Sequence, residues 1–328
     1  MNDELLRILA CPVCLDGELI GLAERPTDTT VICSRCDAKY PVRGGVPILL
    51  PSGCDLSGVH DELDHAHGHK HRQAGYFDHA VAEEFEILRP HGTPRAYRWL
   101  LAQRLNRAVA HVPDLRRTTV VDACCGSGME AEFLVRRGAR VVAVDISEGA
   151  ARRAQARALR FGLDYLVVVG DVERLPVRTG AADVAFVHDG LHHLADPLVG
   201  VRELARVCRR AVSITEPAEA ALTQVAVKLG LATNEEDAGN EVRRLRPERV
   251  RLELAAAGFS TRSERYVMYY GHQPGLGTRL LSVPALFTAF KVGLDAADLL
   301  AGSWGNKLCV TGVRTGRATG PPPIGGTR

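Results

Sequence analysis

From about residue 118 the chain alternates between two patterns. Short apolar runs, four to six residues long, are separated by stretches in which apolar positions recur every three to four residues. The runs Thr118–Ala123, Val141–Val144, Tyr165–Val169, Asp183–Val187 and Ala211–Thr215 read as buried strands. The intervening stretches predict helices through Arg137, over 148–161 and over Pro197–Cys208. Strands alternating with amphipathic helices imply right-handed βαβ units and a parallel sheet. Two further helical patterns, about 78–89 and 94–111, precede the first of these strands.

The first 51 residues follow a different pattern. A short apolar helix, Leu5–Leu9, sits behind the capping residues Asn2 and Asp3. Short strand signals at Leu19–Leu22 and Val31–Ile32 follow, and Tyr40–Leu50 reads as turn and strand broken by Pro and Gly-Gly. Residues 52–75 then hold His60, His65, His67, His69 and His71 with few large apolar residues, the composition of a linker that forms no core of its own. The chain therefore divides into a small domain over 1–51, a His-rich linker over 52–75 and a larger domain over 76–314. The Gly-, Thr- and Pro-rich stretch 315–328 is expected to be a disordered tail.

Composition narrows the function classes. Lys+Arg is 41 against Asp+Glu 39, so the net charge of +2 gives no general affinity for nucleic acid. Only five of those basic residues are lysines. Aromatics are 5%, too sparse for a stacking platform. No run of 18 apolar residues predicts a membrane span, and the acidic start Met1–Glu4 lacks a signal-peptide pattern, so a cytoplasmic protein is expected.

Four of the nine cysteines change the picture. Cys11, Cys14, Cys33 and Cys36 form C-x2-C-x18-C-x2-C, the spacing of a closed tetrahedral zinc site. Four thiolates leave no open position, so the role expected for Zn2+ is structural, and in so short a domain the metal supplies much of the folding free energy. Leu5–Leu9, Cys11-Pro12-Val13-Cys14, the second knuckle and Tyr40-Pro41-Val42-Arg43-Gly44-Gly45-Val46-Pro47 together resemble the small zinc-ribbon activator subunits of tRNA and protein methyltransferases.

The larger domain carries Val120-Val121-Asp122-Ala123-Cys124-Cys125-Gly126-Ser127-Gly128, a strand that ends in an acidic residue, a tight loop and then a helix. Gly126 and Gly128 let a ligand approach the backbone, and the helix N-terminus offers N–H donors. Gly126-x-Gly128-x-x-Ala131 also fits a dinucleotide fingerprint. Asp122, however, suits a ligand bearing an amino group and a sulfonium better than a pyrophosphate. Asp145 ends the second strand, placed to accept from ribose hydroxyls. Asp171 ends the third, within reach of an adenine amino group.

This series resembles the class I S-adenosylmethionine (SAM) methyltransferases, close to the ubiquinone/menaquinone-methyltransferase-like branch, over about 76–314. The resemblance implies a Rossmann-like α/β fold: a seven-stranded, doubly wound, mostly parallel sheet preceded by the small zinc ribbon. Thr261–Val267 and Lys307–Arg314 would supply its antiparallel edge. It implies a SAM loop containing Asp122, Cys124, Gly126 and Gly128, with Cys124 standing where the family often has a glycine. Asp145 and Ile146 would flank the ribose and Asp171 and Val172 the adenine, with His188 and Tyr76 as further contacts. The apolar stretch 274–305 reads as a helical cap or a homodimer face.

Methyl transfer needs a positioned nucleophile and, for a hydroxyl, a base. His192 and His193 follow the fourth strand and Glu216 the fifth, at the carboxyl edge of the sheet. They are the candidate catalytic residues; Tyr97, Trp99 and Asn240 are candidates to line the acceptor pocket. The expected activity is methylation of a small-molecule acceptor at oxygen. The alternatives are an RNA methyltransferase that docks rRNA or tRNA through the ribbon, and a binding module whose ribbon activates a separate methyltransferase. The basic cluster Arg243, Arg244, Arg246, Arg249 and Arg251 could meet RNA phosphate or an acidic acceptor, or simply form a solvated helix start.

Overall fold

The computed structural model describes residues 3–21, 28–51, 65–79, 95–228, 234, 242–268 and 280–315. The regular elements begin with α1 (Asp3–Leu6), β1 (Leu19–Ile20), β2 (Asp28–Cys33), β3 (Lys39–Arg43) and β4 (Val46–Leu49). Then come α2 (His65–His79), α3 (Arg95–Val109), β5 (Thr119–Ala123), α4 (Met129–Val135) and β6 (Arg140–Asp145). They continue with α5 (Glu148–Phe161), β7 (Tyr165–Gly170), β8 (Ala182–His188), α6 (Pro197–Val207) and β9 (Cys208–Pro217). The last are α7 (Ala221–Lys228), α8 (Pro247–Ala256), β10 (Phe259–Tyr266), α9 (Pro284–Ala301) and β11 (Lys307–Arg314).

The strand order is β1-β2-β3-β4-β7-β6-β5-β8-β9-β11-β10. The expected seven-stranded sheet is its larger part, β7-β6-β5-β8-β9-β11-β10. Strands β5 to β9 run parallel, and β11 inserts antiparallel between β9 and β10. The strand count exceeds seven because the N-terminal strands do not stand apart. Strand β4 pairs parallel with β7, Ile48 opposite Val169 and Leu49 opposite Gly170. The core is shared as well: Leu5, Leu9, Val31, Tyr40 and Val42 belong to the same apolar cluster as Val121, Val142, Val168 and Val187. A second cluster, including Leu105, Leu134, Val141, Ala154 and Phe186, fills the other face. The expected boundary near residue 51 coincides with the end of β4, but the packing runs across it.

Local chemistry sets the element ends. Ser147 caps α5 by accepting from Ala150 N at 2.9 Å, and Gly162 ends it at φ +60°. Asp196 caps α6 by accepting from Leu198 N, with Pro197 in the first turn.

One expectation needs correction. The linker expected over 52–75 is helical from His65, within α2. This helix has little amphipathic pattern, so sequence periodicity misses it; tertiary bonds hold it instead. Asp78 Oδ1 accepts from Ser147 Oγ and Gly149 N, both at 2.7 Å, and Arg153 donates to the carbonyls of Phe77 and Asp78. The helix expected over 78–89 falls outside the described residues from 80 onward, as do residues 52–64 and 316–328. In the insertion, α9 buries Phe287 and packs Phe290 and Leu294 against the cluster of Leu100, Tyr266, Met268 and Cys309, while Val292, Leu299 and Leu300 are exposed. Among the described residues no helix is long and apolar enough to cross a membrane.

Candidate active site

The turn between β5 and α4 is tied to β6. Cys125 N donates to Val144 O at 3.1 Å, and Gly126 N donates to Asp145 Oδ2 at 2.8 Å. Buried Arg157 braces it from behind, donating to Ser127 O at 2.8 Å and to Glu132 at 2.9 Å. Gly128, at φ +78°, is required twice over: a Cβ there would stand 2.6 Å from Tyr165 Oη and 3.0 Å from Ala154 Cβ. A Cβ on Gly126 would meet nothing within 4 Å, so this glycine faces open space beside the loop. Cys124 takes φ +56°, the left-handed region where the family often has glycine. Gly190 makes room for it, since a Cβ at Gly190 would lie 2.3 Å from Cys124 Cβ.

Buried acidic groups gather beneath the loop. Asp122 is fully buried and neither carboxylate oxygen has a hydrogen-bond partner. Burial, reinforced by the charges of Glu130 and Asp145, pushes its carboxyl well above the usual range. Glu130 rises to about 7, chiefly by burial, against the opposing pull of Arg104 and Arg157. It pairs with His188 Nδ1 at 3.0 Å, and burial holds that imidazole well below its ordinary pKa. Asp145 is also raised by burial, although Ser147 N and Gly126 N donate to it.

At the carboxyl end of β8, Glu216 from β9 organises the turn 190–192. Its fully buried carboxylate accepts from Gly190 N at 2.9 Å and Leu191 N at 2.7 Å. It also meets His192 Nδ1 at 2.7 Å. With Nδ1–H donating to this carboxylate, Nε2 is the basic nitrogen of His192. The His192 and His193 rings lie 4.2 Å apart, and Phe77 from α2 meets His193 edge-on at 5.6 Å. Asp189, at φ +57°, forms ion pairs with Arg104 from α3 and with fully buried Lys307 from β11.

The predicted residues thus converge on one edge of the sheet: Asp122, Cys124, Gly126, Gly128 and Asp145 at the loop, His188, His192, His193 and Glu216 beyond β8 and β9. Asp171 and Val172 follow β7, and Ile146 follows β6 half-buried. Tyr76 is exposed and packs on Phe77. Asp171 is engaged: Lys70 Nζ lies 2.6 Å from Asp171 Oδ2 and 2.6 Å from Glu173 Oε2. Trp99 stays with Phe287 and Phe290 in the α3–α9 contact; Asn240 lies outside the described residues, as does the side chain of Tyr97. In the basic cluster Arg246 pairs with Glu219 and Arg244 with Asn234. Sequence reasoning missed Lys70, Arg104, Glu130 and Lys307. The one available signal was composition: two of only five lysines sit against site carboxylates.

The four thiols of Cys11, Cys14, Cys33 and Cys36 lie within 4.8 Å of one another, with Cys11–Cys36 and Cys14–Cys33 both at 3.6 Å. A tetrahedron with metal–sulfur bonds of about 2.3 Å needs sulfurs roughly 3.8 Å apart. Gly17 N donates to Cys14 Sγ at 3.2 Å and Arg35 N to Cys33 Sγ at 3.4 Å. A Cβ on Gly17 would stand 2.0 Å from Cys33 Sγ, so only glycine fits.

Comparison with known proteins agrees with this geometry. Residues 121–214 match the family described as Methyltransferase domain. A ubiquinone biosynthesis O-methyltransferase from Xanthomonas oryzae pv. oryzae (strain PXO99A) is 31% identical over 97 residues, 29% of this chain and 41% of that protein. A UPF0434 protein from Nitrosococcus oceani is 40% identical over 50 residues, 15% of this chain and 78% of that protein. The fold resembles magnesium protoporphyrin IX methyltransferase from Synechocystis PCC 6803, solved with bound SAH. The TM-score is 0.53 at 19% identity, covering 75% of this chain and all of that one. The chain spans less than half the length of the first curated relatives it matches, 29% and 41%.

Proposed function

Over 50 residues the chain belongs to the UPF0434 family and its residues 121–214 match a methyltransferase domain, and from that premise we propose that it is a class I SAM-dependent methyltransferase that methylates a small-molecule acceptor at oxygen. The observation that carries this reading is the His192–Glu216 pair at 2.7 Å, at the sheet edge beside the glycine loop. SAM, when bound, supplies an electrophilic methyl group. His192 Nε2 takes the hydroxyl proton from the acceptor, and Glu216 acts as a positioning residue. Its other near contacts are the backbone donors of the turn, so it orients His192 and does not reach the acceptor. The match to a ubiquinone biosynthesis O-methyltransferase supports a hydroxylated ring as the acceptor class.

The loop fits the cofactor. Unpartnered, buried Asp122 and the partnerless Ser127 Oγ await a polar or cationic ligand, and Gly126 leaves room for one. Cys124, Gly128, Asp145, Ile146, Asp171, Val172, His188 and Tyr76 complete the wall. We assign zinc to Cys11, Cys14, Cys33 and Cys36, on the sulfur spacing and the Gly17 fit; its role is to hold the ribbon. On this reading 1–51 is the ribbon and 76–314 the methyltransferase unit.

The test is mass spectrometry of a cell extract incubated with the protein and methyl-labelled SAM. A labelled small molecule, absent with His192→Ala, is expected. Label on RNA, or undiminished labelling by His192→Ala, would overturn the assignment.

A further inference from the structure

Helix α2 holds a buried polar side chain that the reading above does not use. Gln73 is 6% exposed, and neither Oε1 nor Nε2 of its amide has a hydrogen-bond partner. A buried polar group left unsatisfied is costly, so a ligand that satisfies it is worth seeking. Lys70 lies three residues before Gln73 and Phe77 four after, so the three share one face of the helix. Lys70 reaches Asp171 and Glu173, beyond β7. Phe77 reaches His193, beyond β8. Strands β6 and β5 lie between β7 and β8, and their ends carry Asp145 and Asp122. Gln73 therefore sits midway between the adenine end of the site and the end where transfer occurs.

We propose that Gln73 binds the ribose of the cofactor, which makes α2 a binding wall of the site. The inference rests on the cofactor reading above. The chemistry is complementary: ribose hydroxyls both donate and accept, Asp145 can only accept, and an amide supplies the donor as well as an acceptor.

Calorimetry of S-adenosylhomocysteine and adenosine binding to the full chain tests this, with Gln73→Leu and the longer, unbranched Gln73→Met as variants. Both should weaken both ligands by the same factor, about 3- to 10-fold, the loss of one neutral hydrogen bond. Both should also raise the melting temperature of the ligand-free protein, because the orphaned amide is gone. Unchanged affinity for both ligands in whichever variant folds would overturn the proposal. Weakened S-adenosylhomocysteine with unchanged adenosine would also overturn it, by moving the contact to the amino-acid end. Wild-type protein that binds neither ligand would instead remove the cofactor reading itself.

Discussion

Among the described residues two clusters bring metal-binding atoms within 4.8 Å of one another: the four thiols of the ribbon, and Asp189, His192 and Glu216 at the sheet edge. Distance alone does not separate them. Their surroundings do. Around the thiols stand neutral groups: backbone N–H donors from Gly17 to Cys14 and from Arg35 to Cys33, and the Tyr40 hydroxyl 3.0 Å from Cys11 Sγ, the pattern that supports bound thiolate. At the sheet edge the charge is already balanced. Asp189 pairs with Arg104 and Lys307, and Glu216 accepts two main-chain N–H bonds and the His192 ring. On the zinc assignment proposed above, the first cluster takes a cation for cohesion, while the second is paired with cations built into α3 and β11.

The largest effect that could break this contrast lies in the ribbon. Purified protein should hold one zinc per chain, not two, and Cys33→Ser should lose it. Structural zinc binding is worth about 10–16 kcal/mol in isolated small modules. Here the ribbon shares its core with the main sheet, so the loss should spread. Hydrogen exchange should accelerate over β2 and β3 and also in β7, whose edge β4 covers. Two zincs by elemental analysis, or zinc retained in the variant, would erase the distinction between the clusters.

How much of this was legible beforehand depends on how local each signal is. The thiols, the glycine loop and the acidic strand ends are short-range patterns, and α5 and β11 have the expected limits, 148–161 and 307–314. Lys307 and Arg104 meet Asp189 only because β11 inserts beside β9 and α3 packs over them, pairings absent from any sequence window. Helix α2 was hidden for a related reason: its stability comes from Asp78, Lys70 and Arg153 bonds to other elements. The ribbon's fusion to the sheet through two residue pairs, Ile48–Val169 and Leu49–Gly170, leaves no mark in composition.

The next two effects probe the sheet edge. Asp189→Ala removes the counter-charge shared by Arg104 and fully buried Lys307, and breaking a buried pair from one side typically costs about 3–5 kcal/mol. Chemical denaturation should show a loss of that order; a loss below about 1 kcal/mol would mean the cations are not balanced by Asp189. His192→Ala should lower kcat about 10²- to 10⁴-fold while SAM affinity stays near wild type. Near-normal turnover would move the base elsewhere or make a base unnecessary.

The smallest effect is a pH dependence, set by the buried carboxyl of Glu130 beneath the glycine loop. Burial raises the Glu130 carboxyl to about 7 in the folded protein, against about 4.3 in an unfolded chain. A raised carboxyl favours folding while it stays protonated. Its contribution is complete below about pH 4.3 and is lost as pH climbs toward 7, where the unfolded chain ionises first. Glu130→Gln stays neutral at every pH and can still meet His188. The variant should therefore match wild type near pH 4.5 and exceed it near pH 8, by roughly 1–3 kcal/mol after sharing with neighbouring Asp122, or several degrees in Tm. Melting curves at the two pH values measure the difference directly. An advantage of equal size at both would mean that Glu130 is ionised throughout, with the charges of Arg104 and Arg157 outweighing its burial.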